Sequence, residues 1–241
     1  MDSLIHKFKE LRLKNCAEHI GALLETAAAK NLSARQTLER LLDLELDARE
    51  QARIVLRYKQ ANLDEKTTID GFDFHHHKSR QHYKTLILNL MDMEFVQRKM
   101  DIILIGNPGV GKSYLAKCLA YAATQKGTKT LFTTAMDMIN QLIAAEANHN
   151  LLKKLHYYQS QDVLVIDEIG YLPLGKQGSH LFFQVISARH TQKSTVITTN
   201  LPFAEWSNIF DGTTAATAIA DRLIYNSEIL ILEGPSYRTK S

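Results

Sequence analysis

One run of eight residues constrains the fold of this chain more than any other: Gly106-Asn107-Pro108-Gly109-Val110-Gly111-Lys112-Ser113. It fits the pattern G-x-x-x-x-G-K-[ST]. A short apolar run, Ile102-Ile103-Leu104-Ile105, precedes it, and a helix-forming stretch that begins at Tyr114 follows it. A strand, a glycine-rich turn and a helix in this order surround a phosphate with backbone N–H groups. The run therefore predicts a nucleoside triphosphate site contacted by residues 106–114.

The residue types of this loop divide the task of holding a phosphate. Glycines let the chain turn tightly and approach the anion, and the N-terminus of the following helix adds partial positive charge. Lys112 adds a full charge, and Ser113 offers a hydroxyl to Mg²⁺, a cation that prefers oxygen ligands. A glycine-rich turn without a ligand is the weaker interpretation, because a strand and a helix flank the loop.

A second signal lies 55 residues after the lysine (167 − 112), where the run Val163-Leu164-Val165-Ile166 ends in Asp167-Glu168. Four apolar residues predict a buried strand, and ligands of open α/β sheets bind at the carboxyl ends of such strands. We expect Asp167 to hold Mg²⁺ directly or through water, and Glu168 to polarise the attacking water. Alone, an acidic pair after a strand is usually a solvated turn or a helix cap.

The third signal is Asn200, which follows the β-branched run Thr195-Val196-Ile197-Thr198-Thr199. An amide at this strand end is suited to orient water or to contact the terminal phosphate without adding charge. A turn residue before Leu201-Pro202 is an equally good interpretation of Asn200 by itself. The three strand-end features together are what favour a hydrolase over a plain nucleotide binder.

Two arginines near the end of the chain are candidates for contact with phosphate. Arg222 lies on a predicted helix, where it either pairs with Asp221 or another acid, or reaches the nucleotide of a neighbouring subunit as an arginine finger. Arg238 is the weaker candidate, since an exposed tail arginine is the default. Whether Arg189 contacts the nucleotide stays an open question.

Three further groups of residues each have two interpretations. The run His75-His76-His77 favours a solvated loop over a metal site, because no Cys or acidic partner lies at ligand spacing. Phe72 and Phe74 either flank the adenine or belong to the core. Lys153-Lys154 with Tyr157 suit a nucleic-acid backbone, although a solvated helix face is the safer interpretation.

The pattern along the chain predicts two domains. None of the four prolines lies in the first 107 residues, which favours a helical front end. Ser33 and Gln36 fit a capping box that starts a helix at about Ala34. Helices are expected over 80–99, 137–158 and 177–190, with strands between them. We therefore predict a helical N-terminal domain at 1–68 and an α/β domain with a mainly parallel sheet at 69–241.

Composition sets outer limits on function. The 241 residues are 45% hydrophobic and 23% charged with a net charge of +3, as in ordinary soluble proteins. Residues 71–160 carry 11 basic and 6 acidic side chains, a net +5, which does not by itself prove nucleic-acid binding. We expect a cytoplasmic protein without membrane span or export signal, in which Cys16 and Cys118 are structural thiols.

Taken together, these residues resemble the IstB-like ATP-binding proteins, the transposition helpers of bacterial insertion sequences, which are related to DnaC-type helicase loaders. The similarity spans nearly the whole chain. The phosphate loop is common to many ATPases, whereas Pro202-Phe203-Ala204-Glu205-Trp206 and the ending Gly234-Pro235-Ser236-Tyr237-Arg238 are more particular.

The resemblance implies an AAA+ ATPase of the initiator-type branch, a three-layer P-loop NTPase sandwich that uses ATP and Mg²⁺. The matching positions would take the family's roles: phosphate and Mg²⁺ for Lys112 and Ser113, metal and water for Asp167 and Glu168, sensor for Asn200, and finger for Arg222. A C-terminal helical lid is expected to be absent, because 19 residues follow Arg222 (241 − 222).

The resemblance also implies partners. Subunits are expected to assemble on DNA, expected to be duplex, with ATP sites at the interfaces of a homo-oligomer, and to assist a partner transposase. Two alternatives stay open: a helicase loader that acts on single-stranded DNA, and a nucleotide-dependent binding module with little catalysis.

Overall fold

The computed structural model describes residues 2–237 and divides into two compact units, one up to Leu56 and one from Arg57 onward. The first unit is helical. It contains α1 (Asp2–Glu10), α2 (Lys14–Ala29) and most of α3 (Ala34–Gln60), whose last residues belong to the second unit. Its small apolar core is centred on Cys16, Ile20 and Leu41.

The start of α3 is set by the capping box that the sequence predicts. The backbone N–H of Ser33 donates to Gln36 Oε1 at 2.9 Å, and the backbone N–H of Gln36 donates to Ser33 Oγ at 3.3 Å. This reciprocal pair satisfies N–H groups that have no partner inside the helix. The prediction of a helix from Ala34 is confirmed.

A buried carboxylate joins α2 to α3. Glu45 on α3 accepts hydrogen bonds from the backbone N–H groups of Asn15 and Cys16 at 2.8 and 3.2 Å, and from Arg49 Nε at 2.8 Å. A carboxylate at the first turn of α2 satisfies free N–H groups and complements the helix dipole. These contacts fix how α2 and α3 pack against each other.

The second unit is built on five parallel strands in the order β2-β3-β4-β1-β5. The strands are β1 (Asp101–Gly106), β2 (Thr130–Thr134), β3 (Val163–Ile169), β4 (Ser194–Thr199) and β5 (Ser227–Leu232). The predicted parallel sheet is confirmed. The fifth strand, which no sequence pattern singled out, extends the sheet beyond β1.

Helices connect and flank these strands. They are α4 (Lys78–His82), α5 (Lys84–Leu90), α6 (Glu94–Gln97), α7 (Lys112–Gln125), α8 (Ala135–Ala147), α9 (Leu151–Gln159), α10 (Gly175–Arg189) and α11 (Gly212–Ile224). Two 3₁₀ turns, Ile69–Gly71 and Phe203–Asn208, lie in the connections.

Side chains that alternate along the strands reach two separate cores. In β1, Ile103 packs in a cluster with residues of α8, α10 and α11. Its neighbours Ile102 and Leu104 pack on the other face, in a cluster with residues of α5 and α7. Because helices cover both faces of the parallel sheet, the predicted three-layer sandwich is confirmed.

Two of the predicted helices are interrupted. The helix expected at 137–158 is two helices, α8 and α9, because His149 between them has φ 56°. The helix expected at 80–99 is three short ones, with Met93 at φ 62° before the third. Apolar periodicity continues across such breaks, since both pieces face the same core, so it does not reveal a single left-handed residue.

The last part of the predicted N-terminal domain, residues 57–68, is attached to the edge strand of the sheet. The backbone N–H of Phe132 on β2 donates to the Ala61 carbonyl at 2.8 Å, and Asn62 Nδ2 donates to the Phe132 carbonyl at 3.1 Å. Arg57 Nε donates to the Gly127 carbonyl at 3.2 Å. The first compact unit therefore ends before the predicted boundary at residue 68.

Candidate nucleotide-binding site

The glycine-rich loop follows β1 and leads into α7, as its motif predicts. Gly109 and Gly111 have φ of 83° and 98°, a region that other residues rarely adopt. A Cβ at Gly111 would lie 2.9 Å from both the Arg80 guanidinium and the Phe72 ring. Glycine at these positions lets the loop turn sharply and brings its backbone N–H groups to the start of α7.

Lys112 is the first residue of α7 and is buried. Its Nζ donates to the carbonyls of Gly106 and Asn107 at 2.7 and 3.0 Å. The ammonium therefore lies inside the curve of the loop. That position suits contact with a phosphate oxygen, since an anion in the loop would meet both the ammonium and the N–H groups of the helix N-terminus.

Asp167, at the end of β3, meets the residue that follows the loop lysine. Ser113 Oγ donates to Asp167 Oδ1 at 3.0 Å, and Thr198 Oγ1 of β4 donates to the same oxygen. The Asp167 side chain is buried. A hydroxyl and a carboxylate in contact form a set of oxygen ligands that fits Mg²⁺. Ser113 and Asp167, 54 positions apart in the sequence (167 − 113), are thus neighbours, as predicted.

Glu168 has an unusual backbone. Its φ is 64°, and its backbone N–H donates to Thr198 Oγ1 at 2.9 Å instead of joining a regular ladder. The register between β3 and β4 shifts at this point, between Ile166 and Ile169. A non-glycine residue held in this region marks a position that its surroundings specify. Here the conformation leaves the Glu168 carboxylate exposed at the mouth of the site.

Asn200 follows β4 at the same edge of the sheet. Its Oδ1 is buried and has no hydrogen-bond partner among residues 2–237. It lies against Gly170, where a Cβ would approach Oδ1 to 2.6 Å. A buried amide oxygen without a partner is rare and calls for a ligand or water as its partner.

A cavity of about 260 Å³ lies in front of the loop. Lysines and carboxylates both reach it, and aromatic rings close its sides. Its lining residues are Glu65, Pro108, Gly109, Gly111, Lys112, Ser113, Tyr114, Lys117, Glu168, Tyr171 and Tyr237.

Phe72 is buried in the core and stacks on Tyr114 at a centroid distance of 6.1 Å, so the structure bears out the core interpretation of Phe72. Val110 is also buried, which leaves only its backbone to contact a ligand.

Arg222 is not part of this cluster. It lies in the last turn of α11, just before β5, whose first residue Ser227 pairs with Asp101 at the start of β1. The phosphate loop follows the other end of β1. Arg222 Nη1 donates to the Ala218 carbonyl at 2.8 Å, and its guanidinium lies 4.5 Å from the centre of the Phe183 ring. Within the described part of the chain it forms no ion pair.

The sequence also left open whether Arg189 and Arg238 contact the nucleotide. Arg189 is buried and donates to the carbonyls of Tyr158, Gln159, Gln161 and Ser194 and to Thr195 Oγ1. These partners lie at the amino ends of β3 and β4, away from the phosphate loop, so Arg189 is structural. Arg238 lies outside the described residues.

Several residues of the site carry no motif signal in the sequence. Thr198 orients Asp167 and Glu168, and Arg80 lies directly behind the loop, where its Nη2 donates to the Val110 carbonyl at 2.9 Å. The three histidines lie in a loop, as predicted, but only His75 is exposed to solvent. His76 and His77 are half-buried, and His76 Nε2 lies 3.0 Å from the Pro235 carbonyl. No cluster of metal-ligating side chains occurs within residues 2–237.

The parallel sheet, its flanking helices and the glycine-rich loop together define an α/β P-loop NTPase fold. Solved structures agree with this class. The DnaC helicase loader superposes with a TM-score of 0.61 at 22% identity, over 69% of this chain and 96% of that one. AMPPCP-bound DnaA from Aquifex aeolicus gives 0.61 at 15% identity, over 74% of this chain and 54% of that one. At these identities the likeness shows the fold alone.

The family is shown by sequence. The family model for the IstB-like ATP binding protein matches residues 6–241, so the chain belongs to this family of ATP-binding proteins. One relative is named as an ATP-binding protein of insertion sequence IS5376 from Geobacillus stearothermophilus. The two sequences are 37% identical over 241 residues, and the alignment covers 100% of this chain and 95% of that protein. A protein similarly named for IS232 in Bacillus thuringiensis subsp. berliner is 35% identical, over 95% of this chain and 91% of its own length.

These two relatives therefore match over nearly their full length.

Among residues 2–237, no helix combines the length and the apolar character that crossing a membrane requires.

Proposed function

We propose that this protein hydrolyses ATP, binds DNA and assists a transposase in the movement of an insertion sequence. The observation that carries the hydrolysis step is the convergence of Ser113, Asp167 and Glu168 at one edge of the sheet, beside the loop lysine. The names of the relatives at 35–37% identity, which place them in insertion sequences, support the transposition context.

The chemistry assigned to each side chain follows from its position. The loop N–H groups and Lys112 bind the phosphates and offset their charge. Ser113 and Asp167 would hold Mg²⁺, which when bound neutralises charge on the phosphate oxygens. Glu168 accepts a proton from a water that attacks the γ-phosphorus, and the bond to the β–γ bridging oxygen breaks to leave ADP and phosphate. Asn200 orients that water or the γ-phosphate through its amide.

The test separates binding from hydrolysis. We expect Glu168→Gln to bind ATP with near wild-type affinity and to lose turnover by about 10²–10⁴-fold, the usual contribution of a general base. We expect Lys112→Ala to weaken binding itself. ATP affinity is measured by titration and turnover by phosphate release. Glu205→Gln, an exposed carboxylate on the same unit, is the matched control that should leave both unchanged.

Turnover by Glu168→Gln at the wild-type rate would contradict the role of Glu168. Absence of turnover in the wild-type protein, even with DNA and Mg²⁺ added, would leave only a nucleotide-dependent binding module.

A further inference from the structure

Two pieces of chain from distant parts of the sequence contact the phosphate loop. One is residues 76–80, which lead into and begin α4, and the other is residues 233–237, which follow β5. Ser79 Oγ lies 3.0 Å from the Glu233 carbonyl and accepts the backbone N–H of Glu233 at 2.9 Å. His76 contacts the Pro235 carbonyl, and its ring lies 5.0 Å from the Tyr237 ring. The two pieces therefore form one support.

This support binds two successive carbonyls of the loop. The backbone N–H of Tyr237 donates to the Gly109 carbonyl at 2.9 Å, and Arg80 Nη2 donates to the Val110 carbonyl at 2.9 Å. The Arg80 side chain is only 2% exposed, and its Nη1 donates to the Asp73 carbonyl at 2.8 Å. Its guanidinium lies 4.5 Å from the Phe72 ring centre and 5.4 Å from that of Tyr237.

Peptide geometry gives these two hydrogen bonds a consequence for the ligand. In a trans peptide the C=O and the following N–H point in opposite directions. A Gly109 carbonyl held by Tyr237 directs the Val110 N–H away from the support, and a Val110 carbonyl held by Arg80 does the same for the Gly111 N–H. A phosphate bound by the loop depends on such inward N–H groups.

We propose that Arg80 and the backbone N–H of Tyr237 are positioning groups, which hold the Val110 and Gly111 N–H groups in the orientation that binds the phosphates of ATP. The inference rests on ATP binding at this loop, as in the proposed function, but needs no hydrolysis. Neither group touches the nucleotide in this scheme. Arg80 acts through its planar donor pair, so lysine, which keeps the charge, does not replace it.

The first test measures ATP affinity without hydrolysis, in the Glu168→Gln background. We expect Arg80→Lys and Arg80→Gln each to weaken ATP binding by roughly tenfold, the equivalent of one charge-assisted hydrogen bond. Arg98→Lys, at an exposed arginine paired with Glu94 on a short helix, is the matched control and should bind normally. Arg80→Lys with wild-type affinity would reduce the role of Arg80 to its charge and overturn the proposal for it.

The second test isolates a backbone N–H. Tyr237→Ala and Tyr237→Pro both lose the ring, but only proline lacks the N–H donor. We expect Tyr237→Pro to bind ATP several-fold more weakly than Tyr237→Ala. Equal affinities would remove Tyr237 from the proposal. Tyr237 follows β5 and belongs to neither core cluster, so this pair of variants stays informative if the Arg80 variants unfold.

The third test gives a readout that a change in stability does not move. The chain has 11 glycines, so labelling with ¹⁵N-glycine reports the Gly111 amide among few signals. At saturating ADP, we expect the Gly111 proton to shift downfield in the wild type and to shift less in Arg80→Lys. An identical shift in both would contradict the proposal. Wild-type protein that binds ATP no better than Lys112→Ala would instead mean that the loop is not an ATP site.

Discussion

At the scale of single residues, two side chains of opposite charge, Asp101 and Arg189, are buried at the amino ends of the strands, opposite to the nucleotide site. Asp101 at the start of β1 accepts a hydrogen bond from the Thr195 backbone N–H at 2.6 Å. Burial raises the pKa of Asp101 to about 7, although this hydrogen bond and the charge of Arg189 oppose the shift. Burial likewise lowers the pKa of Arg189 to about 10, so the arginine stays charged at neutral pH.

The raised pKa of Asp101 predicts a pH dependence of stability. Because the pKa of Asp101 is higher in the folded protein than in the unfolded chain, the proton on Asp101 stabilises the folded state most below about pH 4. This stabilisation decreases as the pH rises toward 7, by about 1.4 kcal/mol per pH unit. Relative to Asp101→Asn, we expect the wild type to lose about 2–3 kcal/mol of the free energy of unfolding between pH 5 and pH 8. Urea unfolding at both pH values measures this difference.

The comparison between the two proteins cancels the other titrating groups. A difference that stays constant from pH 5 to pH 8 would mean that Asp101 is ionised throughout, with its charge balanced by Arg189.

Individual residues also show how much of the candidate site the sequence can predict. Lys112 and Ser113 are predictable because one local motif specifies them, and Asp167 because an acidic residue after a buried strand must lie at the carboxyl edge of the sheet. Arg80 and Thr198 were not predictable. Each acts through contacts with a segment about 30 residues away or more (110 − 80 and 198 − 167), and neither has an unusual neighbourhood in the sequence.

At the scale of elements, α9 carries the basic and aromatic residues that the sequence associates with nucleic acid. Lys153 and Tyr157 are exposed on this helix, and Lys154 Nζ lies 4.9 Å from the Tyr157 ring centre. Lysines on such a surface would bind backbone phosphates without regard to sequence.

We therefore expect a Lys153→Gln, Lys154→Gln double variant to weaken duplex DNA binding in the presence of ATP. Removal of two phosphate contacts should also reduce the slope of log affinity against log salt by about 2. Fluorescence anisotropy at several salt concentrations measures both quantities. A Lys30→Gln, Lys176→Gln variant, with the same change of charge at other exposed lysines, should bind like the wild type. An unchanged slope in the α9 variant would exclude this helix from the DNA surface.

Elements differed in how well the sequence predicts them. The capping box placed the start of α3 correctly, since its signal consists of two residues three positions apart. The end of α8 was missed because a left-handed His149 leaves no trace in the apolar pattern. The strand β5 was missed because Ile229-Leu230-Ile231-Leu232 is short and lacks a motif at its end.

At the scale of the whole molecule, the three-layer fold followed from the alternation of strands and helices, and the family resemblance agreed with it. The strand order did not follow from that pattern. A parallel sheet of five strands allows several orders, and which strand lies beside β1 depends on packing that no single segment encodes. The observed order places β4 between β1 and β3, which brings Thr198 into contact with Asp167.

The position of Arg222 determines what an arginine finger can do in this protein. A six-residue strand such as β1 spans about 17 Å, and Arg222 precedes the strand that pairs with the far end of β1. Its own phosphate loop is therefore out of reach of the side chain. A neighbouring subunit in a head-to-tail assembly is the remaining way for Arg222 to contact a terminal phosphate.

This geometry predicts that two inactive variants complement each other. Arg222→Ala keeps an intact nucleotide site, and Asp167→Asn keeps an intact finger, so interfaces between them can hold one complete site. With random mixing, about a quarter of interfaces are complete, and we expect about that fraction of wild-type ATP turnover. The control mixes Arg222→Ala with the Arg222→Ala, Asp167→Asn double variant, which offers no intact finger. If assembly is confirmed by size measurement and the first mixture is no more active than this control, Arg222 does not act between subunits, and its contact with Phe183 is its structural role.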